Sequence, residues 1–263
     1  MISVPSRAVT HIADPATAHP PPLVKGGRGA FPRETALLQP QTPLVSEFLR
    51  RDAEVVCACI RLPYPNGNRS LRNWAKQAAV SALLPYVSVV DDELRRETAS
   101  SVPNLEIVSD SLGKPHLLID GSDGPAVSFA YERDTMWVAL SREGSSVGID
   151  AAESSSFSGN YPFHRAFHEE ELELGGEKDE VAALIWSAKE AVVKALGCGF
   201  HLVDPLHLRV EPCSGDHGKS LLMVHLIDSS RERLRVHAEK PVPVSFFRYS
   251  SMWVSVASVS RDC

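Results

Sequence analysis

The sequence predicts an α+β fold made of two similar α/β halves, and three observations lead to it. Short runs of β-branched and apolar residues recur along the chain, separated by turn residues. Two longer segments, 70–87 and about 180–196, repeat their apolar residues at helical spacing instead. One such segment falls in each half, with strands on both sides and spacings that suit antiparallel pairing. No sequence repeat strong enough to prove a symmetry accompanies this plan.

In chain order, residues 1–44 hold eight of the 19 prolines, including Pro20, Pro21 and Pro22, together with KGGRG. Hydrophobic periodicity is absent there, so a disordered Pro-rich extension is expected. Order is expected to begin near VSEFLRRD, giving an N-terminal half over 45–144 and a C-terminal half over 145–263. AEVVCACIRL (53–62) reads as a strand, and SLRNWAKQAAVSALLPYV (70–87) as a helix carrying Leu71, Trp74, Ala78 and Leu83 or Leu84 near helical spacing. LEIVSD (105–110) and PHLLID (115–120) read as short strands around Gly113. AVSFAYE and TMWVALS form an expected hairpin, and SSVGID (145–150) a further strand. In the second half YPFHRAFHEEELELG (161–175) reads as the opening of a helix. Asp179 is expected to cap the long helix that Gly197 ends. HLRVEP, SLLMVHLID, RLRVHAEK, VSFFRYS and MWVSVASV then follow as strands.

Composition narrows the function classes. The 263 residues are 43% hydrophobic and 23% charged, enough for one large domain or two small ones. A net charge of −6 argues against a broadly basic nucleic-acid surface. No apolar run approaches the roughly 20 residues that a membrane helix needs, and the N-terminus lacks the pattern of a secretory signal. The five cysteines are odd in number and form no CxxC pair, against both a disulfide framework and a zinc site. Cys57 and Cys59 alternate on one strand face and read as buried, inert thiols. A reduced, cytoplasmic protein without membrane or nucleic-acid partners is expected.

The chemistry concentrates in IWSAKEAVVKALG (185–197), an apolar helix that carries Lys189, Glu190 and Lys194. Trp186, Glu190 and Lys194 are four residues apart and share a face. Alone, Glu190 and Lys194 would be a surface pair worth a few tenths of a kcal/mol. SSVGID, however, ends in Asp150 and contains Gly148, which allows close backbone approach. A carboxylate at a strand end and another on a helix face can converge on Mg²⁺, which completes its shell with water and phosphate oxygens. A lysine one turn further on would neutralise phosphate charge.

VGID followed some forty residues later by WSAKEAVVKALGCG resembles the signature of the 4'-phosphopantetheinyl transferases, of the larger surfactin-synthetase-activating type. GKPH (113–116), VSFAYERDTMWVAL (127–140) and RAFHEEE extend the resemblance over about residues 50–215. It implies a pseudo-dimeric fold of two halves in one chain, and a monomer. It also implies transfer of the phosphopantetheine arm of coenzyme A to a serine of an acyl, peptidyl or aryl carrier protein, with Mg²⁺, releasing adenosine 3',5'-bisphosphate. Asp150 and Glu190 become the implied metal ligands, with Glu190 also helping to deprotonate the serine, and Lys194 the phosphate contact. Lys114, Tyr131 and Lys189 join Lys194 on the coenzyme A side, with Arg69, Arg72 and Lys76 as weaker candidates for the nucleotide end.

Two positions depart from the pattern. Ala152 stands where a third carboxylate is frequent, and Glu153, one residue on, is expected to point elsewhere. Tyr131 stands at a histidine position and can donate a hydrogen bond but carries no positive charge at neutral pH, while Glu132 adds negative charge beside it. The competing expectation is therefore a non-catalytic relative that binds coenzyme A or a carrier protein. A different Mg²⁺-nucleotide phosphotransferase is weaker still, since no Walker-type loop is present. The glycines of GCG (197–199) read as a helix cap and turn. His164, His168, His201 and His207 read as ordinary histidines, and the acidic run 168–173 as a solvated helix face.

Overall fold

Continuous apolar runs in this chain become strands buried on both faces. The computed structural model describes residues 45–51, 55–62, 69–87, 103–141, 144–213, 221–227 and 240–260. The expected extension over 1–44, and all but the last residue of the expected strand 233–240, lie outside them.

The first unit comprises β1 (Val45–Arg51), β2 (Val55–Arg61), α1 (Arg69–Val87), β6 (Ala126–Glu132) and β7 (Thr135–Ser141). Its strands form an antiparallel sheet in the order β1-β2-β7-β6. Alternation along β2 divides its side chains between two cores. Val56, Ala58 and Ile60 pack with Ala75, Ala79, Val80 and Leu83 of α1. Val55, Cys57 and Cys59 face the other way, so both thiols are buried as expected. Leu83 is wholly buried, and its truncation to alanine would cost about 2–5 kcal/mol. Between α1 and β6 lie β3 (Leu105–Ser109), β4 (Pro115–Ile119) and β5 (Ser122–Asp123), a small antiparallel sheet of their own.

The second unit contains β8 (Ser145–Glu153), α2 (Glu169–Leu172), α3 (Lys178–Ala195), β9 (Leu208–Pro212), β10 (Leu221–Leu226), β11 (Val242–Tyr249) and β12 (Met252–Ser260). Its antiparallel sheet has the order β8-β12-β11-β10-β9, and α3 packs on one face through Ala182, Ile185, Ala188 and Val192. The opposite face meets the first sheet. There Val147, Ile149 and Ala151 of β8 join Val254 and Val256 of β12 against Cys57, Cys59, Ala130 and Trp137. The fold is thus α+β, and each unit sets one long helix on an antiparallel sheet, though the units differ in strand number and order. Among the described residues, no helix is long and apolar enough to cross a membrane.

Two local expectations need correction. Residues 161–175 form no single helix, only a 3-10 turn at Phe163–Arg165 and the four-residue α2. The aromatic spacing there serves a ring cluster instead: Tyr161, Phe163 and Phe167 pack edge-on or tilted with Phe157 and Trp186. Asp179 lies inside the first turn of α3, and the N-cap is Glu177, which makes no side-chain capping bond. Asp179 and Glu180 still place negative charge at the positive end of the helix dipole. Gly197 does end α3: it adopts φ 78°, and the Cys198 N–H returns to the Val193 carbonyl at 2.9 Å.

Candidate active site

The site begins with a contact between backbones. A Cβ on Gly148 would collide with the carbonyl oxygen of Ala191 and lie 2.6 Å from the amide nitrogen of Ala195. Only glycine lets α3 press this closely on β8. A buried hydroxyl pair, Ser187 and Ser255 at 2.7 Å, ties α3 to β12 as well. Strand alternation turns Gly148, Asp150 and Ala152 towards the helix and their neighbours towards the other sheet. Asp150 therefore faces α3, where the Lys194 ammonium donates to its Oδ1 at 2.7 Å and to the Ile149 carbonyl at 3.1 Å.

Glu190 lies one turn before Lys194. Burial raises its carboxyl to about 7, the Asp150 charge adds to the rise, and Lys194 opposes it. Burial likewise raises Asp150, again against Lys194. Two desolvated carboxyls thus share the field of one lysine, an arrangement that favours a further cation. Among the described residues no three His, Cys, Asp or Glu side chains gather into a protein-built cage. Two hard oxygen donors beside a phosphate-sized cleft suit Mg²⁺, which uses few carboxylates and takes its other ligands from water and substrate.

Lys194 also borders that cleft, a cavity of about 220 Å³ between the two units. Lys76 from α1, Lys114 from the β3–β4 turn and Tyr131 from β6 line it, with Cys198 and His201 on the wall beyond α3. The Asp110 carboxylate shapes the turn by accepting from the Leu112 and Lys114 amides, each at 2.9 Å, while Gly113 takes φ 86°. Lys114 then reaches the Ser146 hydroxyl at 3.3 Å and the Ala195 carbonyl, near the negative end of α3, at 3.4 Å. Arg72 and Lys76, one turn apart on α1, lie over the rings of Tyr131 and Phe129, two residues apart on β6, at 5.2 and 5.0 Å. The Arg72 Nε is buried without a hydrogen-bond partner among the described residues. Burial raises the Tyr131 phenol, with Arg72 opposing, and pushes the Cys198 thiol up to about 11, so that wall stays neutral.

Of the residues singled out in the sequence, Asp150, Glu190 and Lys194 come together, and Lys76, Lys114, Tyr131 and Lys194 share one cleft with Arg72 beside it. The Arg69 side chain lies outside the described structure. Lys189 does not join them, which corrects its expected place on the coenzyme A side. It is fully buried, donating to Glu171 Oε2 at 2.8 Å and to the carbonyls of Ala166 and Pro205 at 2.9 and 3.1 Å. A step of one residue turns it about 100° from Glu190. Glu171 in turn accepts from the amides of His168 and Val210, both at 2.8 Å, so it is no part of a solvated face. Two signals in the sequence pointed to it, its match to a position of the resembled family and the need of a buried lysine for a buried carboxylate. Glu153 points away, as expected: it pairs with Arg133 and accepts from the Ser251 hydroxyl at 2.6 Å. Glu132 sits close enough for burial and then the charges of Glu153 and Asp150 to raise its carboxyl, against Arg133. Cys198 and His201 are cleft residues that sequence spacing did not reveal.

Residues 146–246, which carry β8, α3 and the carboxylate–lysine cluster, match the model of the 4'-phosphopantetheinyl transferase superfamily. No curated protein matches the chain. Among solved structures, it is similar to the holo-[acyl-carrier-protein] synthase of Helicobacter pylori in complex with coenzyme A, at 16% identity and a TM-score of 0.36. That match covers 42% of this chain and 96% of the synthase. It is also similar to the ACPS–CoA complex of Chronobacterium ammoniagenes, at 18% identity and a TM-score of 0.37, covering 45% and 98% of the two chains.

Proposed function

We propose that the protein transfers the 4'-phosphopantetheine group of coenzyme A to a serine of an acyl, peptidyl or aryl carrier protein, as a monomer of the larger, two-half type divided near residues 144 and 145. One observation carries the reading: in a segment that matches this superfamily's model, a cleft lined by Lys76, Lys114 and Lys194 opens beside two carboxyls, Asp150 and Glu190, both raised by burial, Glu190 to about 7. Three ammonium groups suit a pyrophosphate and a further phosphate, whose charge they attract and orient. The apolar walls at Val127 and Phe129 suit the less polar parts of the same ligand.

The residues divide the work. Lys114 and Lys76 hold phosphate oxygens, and Lys194 leaves Asp150 to meet the charge that gathers on the leaving group. Asp150 and Glu190 are the residues that would hold Mg²⁺, whose contribution when bound is to polarise the pyrophosphate. A carboxyl near 7 exchanges its proton at neutral pH, so Glu190 is suited to receive the proton of the serine hydroxyl. The serine oxygen bonds to the phosphorus that carries pantetheine, and the bond to adenosine 3',5'-bisphosphate breaks. Absence of a third carboxylate at Ala152 leaves Mg²⁺ one more position for water, which it accepts readily.

The test is direct. Purified protein, Mg²⁺ and coenzyme A should add one phosphopantetheine to a carrier protein, read by intact mass. No gain on representative acyl, peptidyl and aryl carriers, with coenzyme A binding still measurable by calorimetry, would leave the non-catalytic binding relative in its place.

A further inference from the structure

The turn that closes α3 is cut to fit two side chains. A Cβ on Gly197 would stand 3.1 Å from Cδ and 3.2 Å from Nζ of Lys114. A Cβ on Gly199 would stand 2.8 Å from Nδ1 and 3.0 Å from Cε1 of His201. The first distance is tight and the second is closer than real side chains tolerate. Gly197 and Gly199 thus leave room for one ammonium and one imidazole, and both of those groups line the cleft. His201 is exposed, and its ring has no hydrogen-bond partner among the described residues. The remaining titratable groups around that cavity are Lys76 on α1, Lys114 on the β3–β4 turn, Tyr131 on β6, Lys194 on α3 and the neutral thiol of Cys198. Among the described residues no carboxylate lines it to compete for the imidazole.

We infer that His201 is a phosphate-binding residue of this cleft, donating from its imidazole to a phosphate oxygen of the ligand that the three lysines attract. The inference rests on the coenzyme A reading for the identity of that ligand, but the phosphate chemistry stands apart from it. Gly199 is then a positioning residue, present because any side chain would push the ring off the cleft.

The experiment is calorimetry of the full chain with coenzyme A, dephospho-coenzyme A and inorganic pyrophosphate, for wild type, His201→Gln, Gly199→Ala and the double variant. Thermal melting checks that each variant is folded. His201→Gln should weaken binding about tenfold, the scale of one hydrogen bond to a charged phosphate. Gly199→Ala should produce a loss that does not add to that of His201→Gln in the double variant, because both remove the same contact. A loss for coenzyme A alone assigns the contact to its 3'-phosphate, and a loss shared by all three ligands assigns it to the pyrophosphate. Equal affinity in wild type and His201→Gln overturns the role of His201 and leaves the coenzyme A reading intact. Pyrophosphate binding that depends on His201, without coenzyme A binding, overturns that reading and keeps the phosphate site. No binding of any of the three ligands to wild type overturns both.

Discussion

Lys189 and Lys194 stand five residues apart on one helix and are treated in opposite ways. On the closed side of α3, Lys189 and Glu171 are wholly buried and every strong hydrogen-bonding position of the pair is filled by protein. On the open side, Lys194 and Asp150 remain partly exposed, and Glu190 stays half-buried with only that lysine to offset it. A satisfied ion pair fixes α3 to the segments around Ala166, Pro205 and Val210. An under-satisfied one is left for a ligand to complete. Charge buried in the same helix thus marks structure on one face and chemistry on the other, and the inventory of partners tells them apart.

The same substitution on each side should break this contrast most visibly. Glu171→Gln leaves the Lys189 charge buried without its carboxylate and should cost about 3–5 kcal/mol in urea unfolding. A cost under 1 kcal/mol would mean that the closed side is no structural clamp. Glu190→Gln should lower phosphopantetheinyl transfer about 10²–10⁴-fold in a carrier-protein mass assay without unfolding the protein. Lys114→Met should weaken coenzyme A about tenfold by calorimetry, an effect that shrinks in high salt. The smallest effect has the opposite sign to the first. Because the folded protein holds the Glu190 proton at about 7 against an ordinary 4.5, that carboxyl's contribution to stability is full below about pH 4.5 and is lost as the pH rises through about 7. The metal-free wild type should therefore melt lower at pH 8 than at pH 5.5. Glu190→Gln should reduce that fall and be the more stable protein at pH 8, by on the order of 1 kcal/mol.

Much of this was readable in the chain before folding. Periodicity identified α1 and α3 because each keeps one apolar stripe over about five turns, and Gly148 and Gly197 behaved as their neighbours required. The convergence of Asp150, Glu190 and Lys194 was legible because strand alternation and helical spacing are rigid geometries. Lys189 was misplaced by grouping it with its neighbour, although the helical step alone turns it to another face. Glu171 and the 161–175 segment were misread for a different reason. Their conformation is set by tertiary partners, a buried ammonium for one and a cluster of five rings for the other, and local patterns carry neither. His201 was missed because the cleft it lines is assembled from segments more than a hundred residues apart.

Gly148 has a longer reach than its own contact. With main chain seated on main chain, the separation of Asp150 and Glu190 is gauged by peptide groups, and no intervening side chain sets it. Residues around the site, Ala152 and Tyr131 among them, can then be exchanged while the gauge stays the same. The residue least free to drift is the one with no side chain. An inhibitor that must tell this protein from its relatives would find its selectivity on the exchangeable wall of Tyr131 and His201, and little of it along the seam between strand and helix.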